Sequence, residues 1–312
     1  MRKRLIPLLL ALILLSACAR PAGPRARLTV VCATYPVYLF ASALTEGVEG
    51  VAVERLDTGS VSCLHDYTLS VRDMRKLEGA DVIALNGGGL EEFLEDALKT
   101  SRAAVVDCSE GMELLENLSH RHEEGEDEHD HGHFDPHYWM DPGRAAIAAE
   151  RLGGALEELD PDWAQRYQDN AAALREEMEI LDRELFQMFD RFRQERGPIA
   201  GLITFHDGFQ YFADAYRLPL LAAIEEEAGS EASAREIVEM TGLVKEHGIP
   251  VVFTEVNGSD ATARAIARET GCRVSALTMV MDGPDDNLGR YLEGLRDNAR
   301  AILRGFGGEG NP

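Results

Sequence analysis

The stretch that organises this chain is residues 120–142, HRHEEGEDEHDHGHFDPHYWMDP. It holds six of the nine histidines, together with eight carboxylates and a single basic residue, Arg121. Residues 120–133 have no apolar side chain and no periodicity, which predicts a solvated loop of metal-attracting composition. In residues 134–142, a pair of Asp-Pro steps brackets His137. Because a proline fixes its own φ and restricts the residue before it, His137 is expected on a defined backbone.

A charged surface loop without a function of its own would have a similar composition. We favour a loop that collects metal ions and ends at His137, a ligand that holds one ion. The weak ligands of this His-rich loop (residues 120–133) would be His120, His122, His129, His131 and His133.

The chain begins with a basic MRKR, continues with apolar residues 5–15 and reaches LSAC at residues 15–18. This pattern predicts a secretory signal peptide over residues 1–17, too short to be a transmembrane helix. The cysteine after Leu-Ser-Ala resembles a bacterial lipobox, which implies a lipid on Cys18 and a tether over residues 18–27. The alternative is an ordinary signal peptide with a chance cysteine. We therefore expect an extracytoplasmic protein anchored by lipid to a bacterial membrane, in the periplasm or at the cell surface.

The formal net charge of the chain is −24, and loss of the three basic residues of the signal peptide makes it more negative by three. A protein this acidic is repelled by phosphate backbones and attracts cations, so no nucleic-acid partner is expected. The mature length of about 290 residues suits two domains.

Four further cysteines are present, Cys32, Cys63, Cys108 and Cys272. They allow three full disulfide pairings, and the sequence does not choose among them. No C-x-x-C motif occurs, which argues against a zinc ribbon. Cys63 lies two residues before His65 and could be a thiolate ligand, although a disulfide or a buried thiol is the favoured state.

Short apolar segments alternate with helical segments in both halves of the chain. We predict strands over residues 28–33, 51–56, 81–86 and 103–108, and again over 199–204, 220–224, 250–255 and 272–277. Such alternation is typical of parallel α/β sheets covered on both faces. The predicted organisation is an α/β domain over 28–141, linking helices over 142–196 and a second α/β domain over 197–312.

Within the linking region, a helix over residues 161–196 is predicted to brace the two domains. Apolar residues recur in it at intervals of three or four, close to the helical period. At 1.5 Å per residue its length is about 54 Å, more than the width of one small domain. The apolar positions are Trp163, Tyr167, Ala171, Leu174, Met178, Leu181, Leu185, Met188 and Phe192.

Three histidines occupy equivalent places beyond predicted strands: His65, His137 and His206. Parallel α/β domains bind ligands beyond the carboxyl ends of their strands, so imidazoles from both halves would converge on the crevice between domains. Imidazole suits zinc, and a carboxylate would complete a four-coordinate site. The candidate carboxylates are Asp282, Glu255, Asp285 and Asp286.

From about residue 28 onwards the chain resembles the ZnuA/TroA-type (cluster A-I) solute-binding lipoproteins of ABC-type metal importers. The matching motifs are GSVSCLHDY, ADVIALNGGGLEEFL, DPHYWMDP, TFHDGFQYF, FTEVNGS and MDGP, in this order and with a His-rich loop between them.

The resemblance implies a TroA-like fold: two four-stranded α/β domains joined by one long rigid helix, with one transition metal between them. It implies a monomeric, non-enzymatic protein that delivers its ion to an ABC permease. Carried over by position, the ligands are His65, His137, His206 and Asp282, with Glu255 as the alternative fourth ligand. Zinc-binding members are similar to this chain in having histidine at the third position, where manganese and iron members tend to have a carboxylate.

The chain departs from the family pattern beside two of these ligands. Cys63 and Leu64 precede His65, where members often have proline or glutamate. Gly283 and Pro284 follow Asp282, where members often have proline first. These departures bear on the fourth ligand and on any carboxylate beside His65.

Three alternative functions compete with this one. Residues 131–137, HGHFDPH, come within one residue of the H-x-H-x-D-H pattern of metallo-β-lactamase-like hydrolases, but a catalytic zinc keeps an open position that three histidines and a carboxylate would close. A surface adhesin is the second alternative, since some lipid-anchored bacterial proteins bind host material. The third is a manganese or iron binder of the same family.

Overall fold

The computed structural model describes residues 26–58, 64, 67–117, 133–225 and 233–307, with the backbone alone at 206, 224 and 225. The predicted signal peptide, Cys18, Cys63, His65 and residues 118–132 of the loop region lie outside the described residues.

The sheet of the first half has four parallel strands in the order β2–β1–β3–β4. The strands are β1 Leu28–Cys32, β2 Val51–Arg55, β3 Val82–Leu85 and β4 Ala104–Asp107. Val30 of β1 pairs with Val53 on one side and Val82 on the other. Along β1, Val30 enters one hydrophobic core and Val31 enters another. Because successive side chains of a strand point to opposite faces, both faces of this sheet are buried.

Helices cover these two faces. The helix α1 (Tyr35–Leu44) packs in the larger core, which continues into the second half. The opposite face is covered by α2 (Val71–Gly79) and by the short helix α3 (Glu95–Thr100), which follows a 3₁₀ turn at Glu92–Leu94. Leu77 and Leu94 carry the contact on that face.

Two linking helices follow. In α4 (Pro142–Leu159) the side chain of Asp141 accepts a hydrogen bond from the Gly143 amide at 2.8 Å, and Pro142 occupies the first turn, where its missing N–H costs nothing. A 3₁₀ turn at Pro161–Trp163 then leads into the long helix α5 (Ala164–Arg196). The long helix ends at Gly197, whose φ of 91° suits glycine.

The buried face of α5 contacts both halves. Near its start, Asn170 donates hydrogen bonds to the carbonyl oxygens of Leu44 at 2.8 Å and Glu46 at 2.9 Å. Near its end, Arg193 donates to the Tyr216 carbonyl oxygen at 3.0 Å, and the Phe189 ring lies 5.4 Å from the Tyr216 ring. The helix therefore packs on the first half at one end and on the second half at the other.

In the second half the strands pair in parallel as β5 (Leu202–His206) with β6 (Leu220–Glu225) and β7 (Val251–Glu255) with β8 (Arg273–Leu277). The two pairs lie side by side, with β5 next to β7. The remaining helices are α6 (Gln210–Ala215), α7 (Ala234–His247), α8 (Ala261–Thr270) and α9 (Gly289–Gly305).

These helices again cover two faces. Ile203 and Val252 pack with Met240 of α7 and Ile266 of α8 in one core. On the other face, Phe253 belongs to the large core together with the apolar stripe of α9, formed by Tyr291, Leu295, Ala299 and Ile302. The two halves repeat the same architecture, as the alternation of strands and helices predicts.

Seven of the eight observed strands agree with the predicted ones to within one residue at each end. The exception is the strand predicted over 199–204, which is instead β5 and runs from Leu202 to His206. Phe205 explains the shift, because it enters the same core as Ile203 two residues earlier, as in a strand. The first turn of the predicted helix 161–196 is 3₁₀, and Phe189 is fully buried in place of the predicted Met188.

The described cysteines Cys32, Cys108 and Cys272 are free thiols. Cys32 ends β1 and Cys108 follows β4, with β3 between these strands, so their Cα atoms are too far apart for a disulfide. Burial raises the pKa of the Cys32 and Cys108 thiols, which keeps both protonated.

Within the described ranges, none of the helices has the length and apolarity that a membrane span requires.

A scaffold braced by α5 predicts little domain closure. Addition of zinc should leave the radius of gyration from small-angle scattering nearly unchanged, because bending a continuous helix would break backbone hydrogen bonds and the contacts at both of its ends. Thermal stability should nevertheless rise, since a ligand that binds only the folded state stabilises it by mass action. A drop in the radius of gyration as large as the one that hinge closure causes would contradict the braced scaffold.

Candidate metal centre

A short buried turn joins the two halves next to His137. It is the 3₁₀ turn Tyr138–Met140, in which all three side chains have 0% exposure. The Tyr138 hydroxyl donates to the carbonyl oxygen of Asn86, after β3, at 2.9 Å. The Trp139 indole donates to the carbonyl oxygen of Met279, after β8, at 2.8 Å. One turn therefore binds the carboxyl ends of both sheets.

The residues just before this turn are held in the same way. The Asn86 side chain donates to the Pro136 carbonyl oxygen at 3.0 Å. From the second half, the Tyr211 hydroxyl donates to the Asp135 carbonyl oxygen at 2.7 Å and accepts from the Leu115 amide at 2.9 Å. Tyr211 lies in α6, so both halves position the backbone that leads into His137.

Gly88 permits this close approach. Its φ is +66°, and a Cβ there would lie 3.2 Å from the Pro136 Cα. A larger residue would be strained and would press on the segment that carries His137.

A buried carboxylate orients His137. One oxygen of Asp135, Oδ1, accepts from the His137 amide at 2.8 Å and lies 2.7 Å from the ring nitrogen Nδ1. The Asp135 side chain is 2% exposed and the His137 side chain 12%. When Nδ1 carries the proton in such a pair, Nε2 holds the lone pair that binds a metal. The residues present therefore suit a metal ligand at His137.

Two predicted ligands end neighbouring strands of the second half. His206 is the last residue of β5 and Glu255 the last of β7. Because parallel strands have their carboxyl ends at one edge of a sheet, the backbone places both at the edge that faces the junction. The structure describes the position of His206 but not its side chain.

Asp282 lies in the segment after β8, where the halves meet. Its Oδ1 accepts from the Gly283 amide at 2.8 Å and from Arg55 Nη2 at 3.0 Å. Arg55 is the last residue of β2, in the first half. Asp282 is therefore at the contact between the carboxyl ends of the two sheets.

The other predicted residues are placed as follows. His65 lies outside the described residues, but the neighbouring Leu64 is 2% exposed and its carbonyl accepts from the Tyr67 amide at 3.0 Å. Asp285 pairs with Arg290 at 2.9 Å, and Asp286 lines a groove along α5. Among the side chains that the structure describes, no three of His, Cys, Asp and Glu converge as a metal cluster.

The His-rich loop enters and leaves close to this centre. The Asn117 amide donates to the His133 carbonyl at 3.2 Å, and Glu116 forms an antiparallel bridge with Phe134. The two ends of the segment 118–132 are therefore held side by side, four residues before His137. His133 itself is exposed.

Sequence reasoning missed Asp135, Tyr211 and Arg55. Asp135 had a local signal, since it stands two residues before His137 in the D-P-H motif. Tyr211 and Arg55 had none, because each acts on the centre through a contact with the other half of the chain.

The chain has two similar α/β halves, a helix that braces them, and at their junction a histidine oriented by a carboxylate. These features define the class of metal-binding solute receptors. Residues 30–305 match the model of the ZnuA family, described as "Zinc-uptake complex component A periplasmic", and the chain belongs to that family.

Among similar proteins, zinc-binding AdcA of Streptococcus pyogenes serotype M3 is 28% identical over 273 residues, which cover 81% of this chain and 50% of AdcA. The chain thus spans about half the length of this relative. Iron-binding YfeA of Yersinia pestis is 31% identical, over 82% of this chain and 80% of YfeA. The structure of Lmb from Streptococcus agalactiae, described as bifunctional with adhesin and metal-transporting activity, is similar with a TM-score of 0.75 and 28% identity, over 89% of this chain and 99% of Lmb.

Family membership confirms the predicted family and the TroA-like fold class. The family is one of binding components of transport systems and not of enzymes, which counts against the hydrolase alternative.

The Asp135–His137 pair generates a prediction. Asp135→Asn keeps the size of the side chain and an acceptor oxygen but removes the negative charge, so the affinity of the centre for zinc should fall about 10- to 100-fold. The matched control is Asp160→Asn. Asp160 is a buried aspartate that follows the last residue of α4 and pairs with Arg27 and Tyr167. Competition with a chelator measures both variants. Unchanged affinity in Asp135→Asn, or an equal loss in both, would refute the orienting role.

Proposed function

We propose that this chain is the extracytoplasmic zinc-binding component of an ABC importer, which captures one Zn²⁺ between its halves and delivers it to a membrane permease. His65, His137, His206 and Asp282 would bind the ion. The observation that carries the proposal is the buried Asp135–His137 pair at the junction, because it prepares one imidazole nitrogen as a ligand.

The donor set favours zinc. Three imidazoles and one carboxylate match the four-coordinate sites that zinc forms, whereas manganese prefers more oxygen ligands. Manganese or iron remains the alternative, since iron-binding YfeA is about as similar to this chain as zinc-binding AdcA. No feature of the described residues favours the adhesin alternative.

The proposal extends to the remaining regions of the chain. We infer that residues 1–17 are a signal peptide, that lipid on Cys18 anchors a monomer to the membrane, and that residues 28–141 and 197–312 are domains on either side of the linking helices. The His-rich loop would supply weak, additional zinc sites.

The ligand set predicts a specific ranking of variants. Replacing His65, His137 or His206 by alanine should weaken zinc binding by orders of magnitude and leave the fold intact. Asp282→Ala should weaken binding as well, whereas Glu255→Ala should not. Isothermal titration calorimetry with zinc and with manganese measures both the ranking and the metal preference. Normal binding by Asp282→Ala with loss in Glu255→Ala would assign the fourth ligand to Glu255.

The His-rich loop generates a separate prediction. A loop that must be ordered around each ion should have a lower affinity than ligands already fixed on the scaffold. Deleting residues 121–132 should therefore remove weak sites, leave one tight zinc per chain, and slow growth only when zinc is scarce. The Asn117–His133 contact makes a short connection feasible. Metal content after dialysis measures the outcome, and loss of the tight zinc would mean that the loop supplies a ligand.

The weak sites should also be lost first on acidification. A ligand must lose its proton to bind zinc, so acid competes with the metal, and the weakly held ions of the loop should be displaced at a higher pH than the tightly held one.

A further inference from the structure

Arg55 spans the junction between the two halves and contacts the proposed fourth ligand. Its Nη2 donates to Asp282 Oδ1 at 3.0 Å and to the Gly283 carbonyl oxygen at 2.9 Å. Arg55 and Asp282 are 227 positions apart in the sequence. This ion pair joins the end of β2 to the segment that follows β8.

Aromatic rings hold the guanidinium in place. Its central carbon lies 4.7 Å from the centre of the Tyr35 ring and 5.9 Å from that of Tyr38. Such cation–π contacts favour a charged guanidinium. Its other terminal nitrogen, Nη1, is buried and has no hydrogen-bond partner among the described residues. The arginine therefore lies between the rings and Asp282, with part of its side chain still in contact with solvent.

The segment that carries Asp282 is fitted to the same tyrosine. The Tyr35 hydroxyl donates to the Asp285 carbonyl oxygen at 2.9 Å. A Cβ at Gly283 would overlap the Tyr35 hydroxyl, so a proline or any other side chain could not stand there without displacing the ring. The chain has Gly283-Pro284 after Asp282, where family members often have proline first, because the Tyr35 ring that contacts Arg55 leaves room only for glycine at position 283.

The pairing has a consequence for any cation that binds Asp282. A metal ion must share the carboxylate with a permanently charged guanidinium or displace it. Either way the metal gains less from Asp282 than it would from an unpaired carboxylate, because like charges a few ångströms apart repel each other. The Arg55 side chain is 28% exposed and that of Asp282 44%, so solvent weakens this repulsion but does not remove it.

We propose that Arg55 is a positioning residue that competes with the metal for Asp282, lowering the affinity of the centre and speeding release of the ion. When the metal replaces Arg55 at Asp282, the ion pair between the two halves is broken. Metal binding and the contact between the halves therefore affect each other. The inference rests on the proposed role of Asp282 as a ligand. A receptor that must hand its ion to a permease benefits from such a competitor, because very tight binding would make delivery slow.

The test compares full-length chains that differ in one charge. Arg55→Gln should bind zinc at least tenfold more tightly than the wild type, equivalent to about 1.4 kcal/mol, and release it more slowly to a chelator. Arg55→Lys keeps the charge and should stay near the wild type. The matched control is Arg290→Gln, which removes the positive charge that pairs with Asp285, three residues after Asp282, and should leave affinity unchanged. Chelator competition gives the affinity and stopped-flow mixing the release rate.

Further variants separate the possible failures. Thermal melting of the chelator-treated proteins checks folding, and Arg55→Met, which keeps the stem against the tyrosines, replaces Arg55→Gln if that variant does not fold. In an Asp282→Ala background, Arg55→Gln should no longer tighten binding. Wild-type or weaker affinity in Arg55→Gln and Arg55→Met would overturn the competitor role. Unchanged affinity in Asp282→Ala alone would instead overturn the proposed ligand.

Discussion

The structure depends on one buried turn. Tyr138 binds the segment after β3, Trp139 binds the segment after β8, and the Tyr291 hydroxyl donates to the Trp139 carbonyl oxygen at 2.6 Å. Since these bonds lie in a fully buried core, loss of any one would leave a polar group without water or partner. The turn fixes the relative position of the two sheets, and the helix α5 maintains it over the length of the molecule. His137 immediately precedes this turn, so the candidate ligand stands on backbone that is held from both halves.

The fixed backbone beside the turn distinguishes His137 from the other histidines in residues 120–142. His137 is fixed by Asp135, by the Asp-Pro step and by the turn that follows. His120, His122, His129 and His131 lie in the sequence between Asn117 and His133 and have no Asp-Pro step beside them. Their composition predicts a solvated loop, so these imidazoles are expected to bind metal more weakly than His137, since ordering a loop around an ion costs conformational entropy.

Much of the fold was predictable because its signals are local. The short apolar strands and the apolar stripe of α5 each depend on neighbouring residues in the sequence. The error at β5 arose from tertiary packing: Phe205 extends the strand because it fills a core shared with α7 and α8, two helices that come much later in the sequence. For the same reason the sequence pointed to histidines beyond strand ends but not to Arg55 or Tyr211, whose roles arise from contacts across the junction.

A zinc ion held by imidazoles from both halves and a carboxylate has a distinctive coordination shell. X-ray absorption at the zinc edge measures this shell, with less than one equivalent of zinc added to the full-length protein so that the tight site fills first. The proposed ligand set predicts four nitrogen or oxygen neighbours at about 2.0–2.1 Å, with the multiple-scattering signature of about three imidazoles. A sulfur neighbour at about 2.3 Å would implicate a cysteine such as Cys63, and a shell with at most one imidazole would contradict the proposed ligand set.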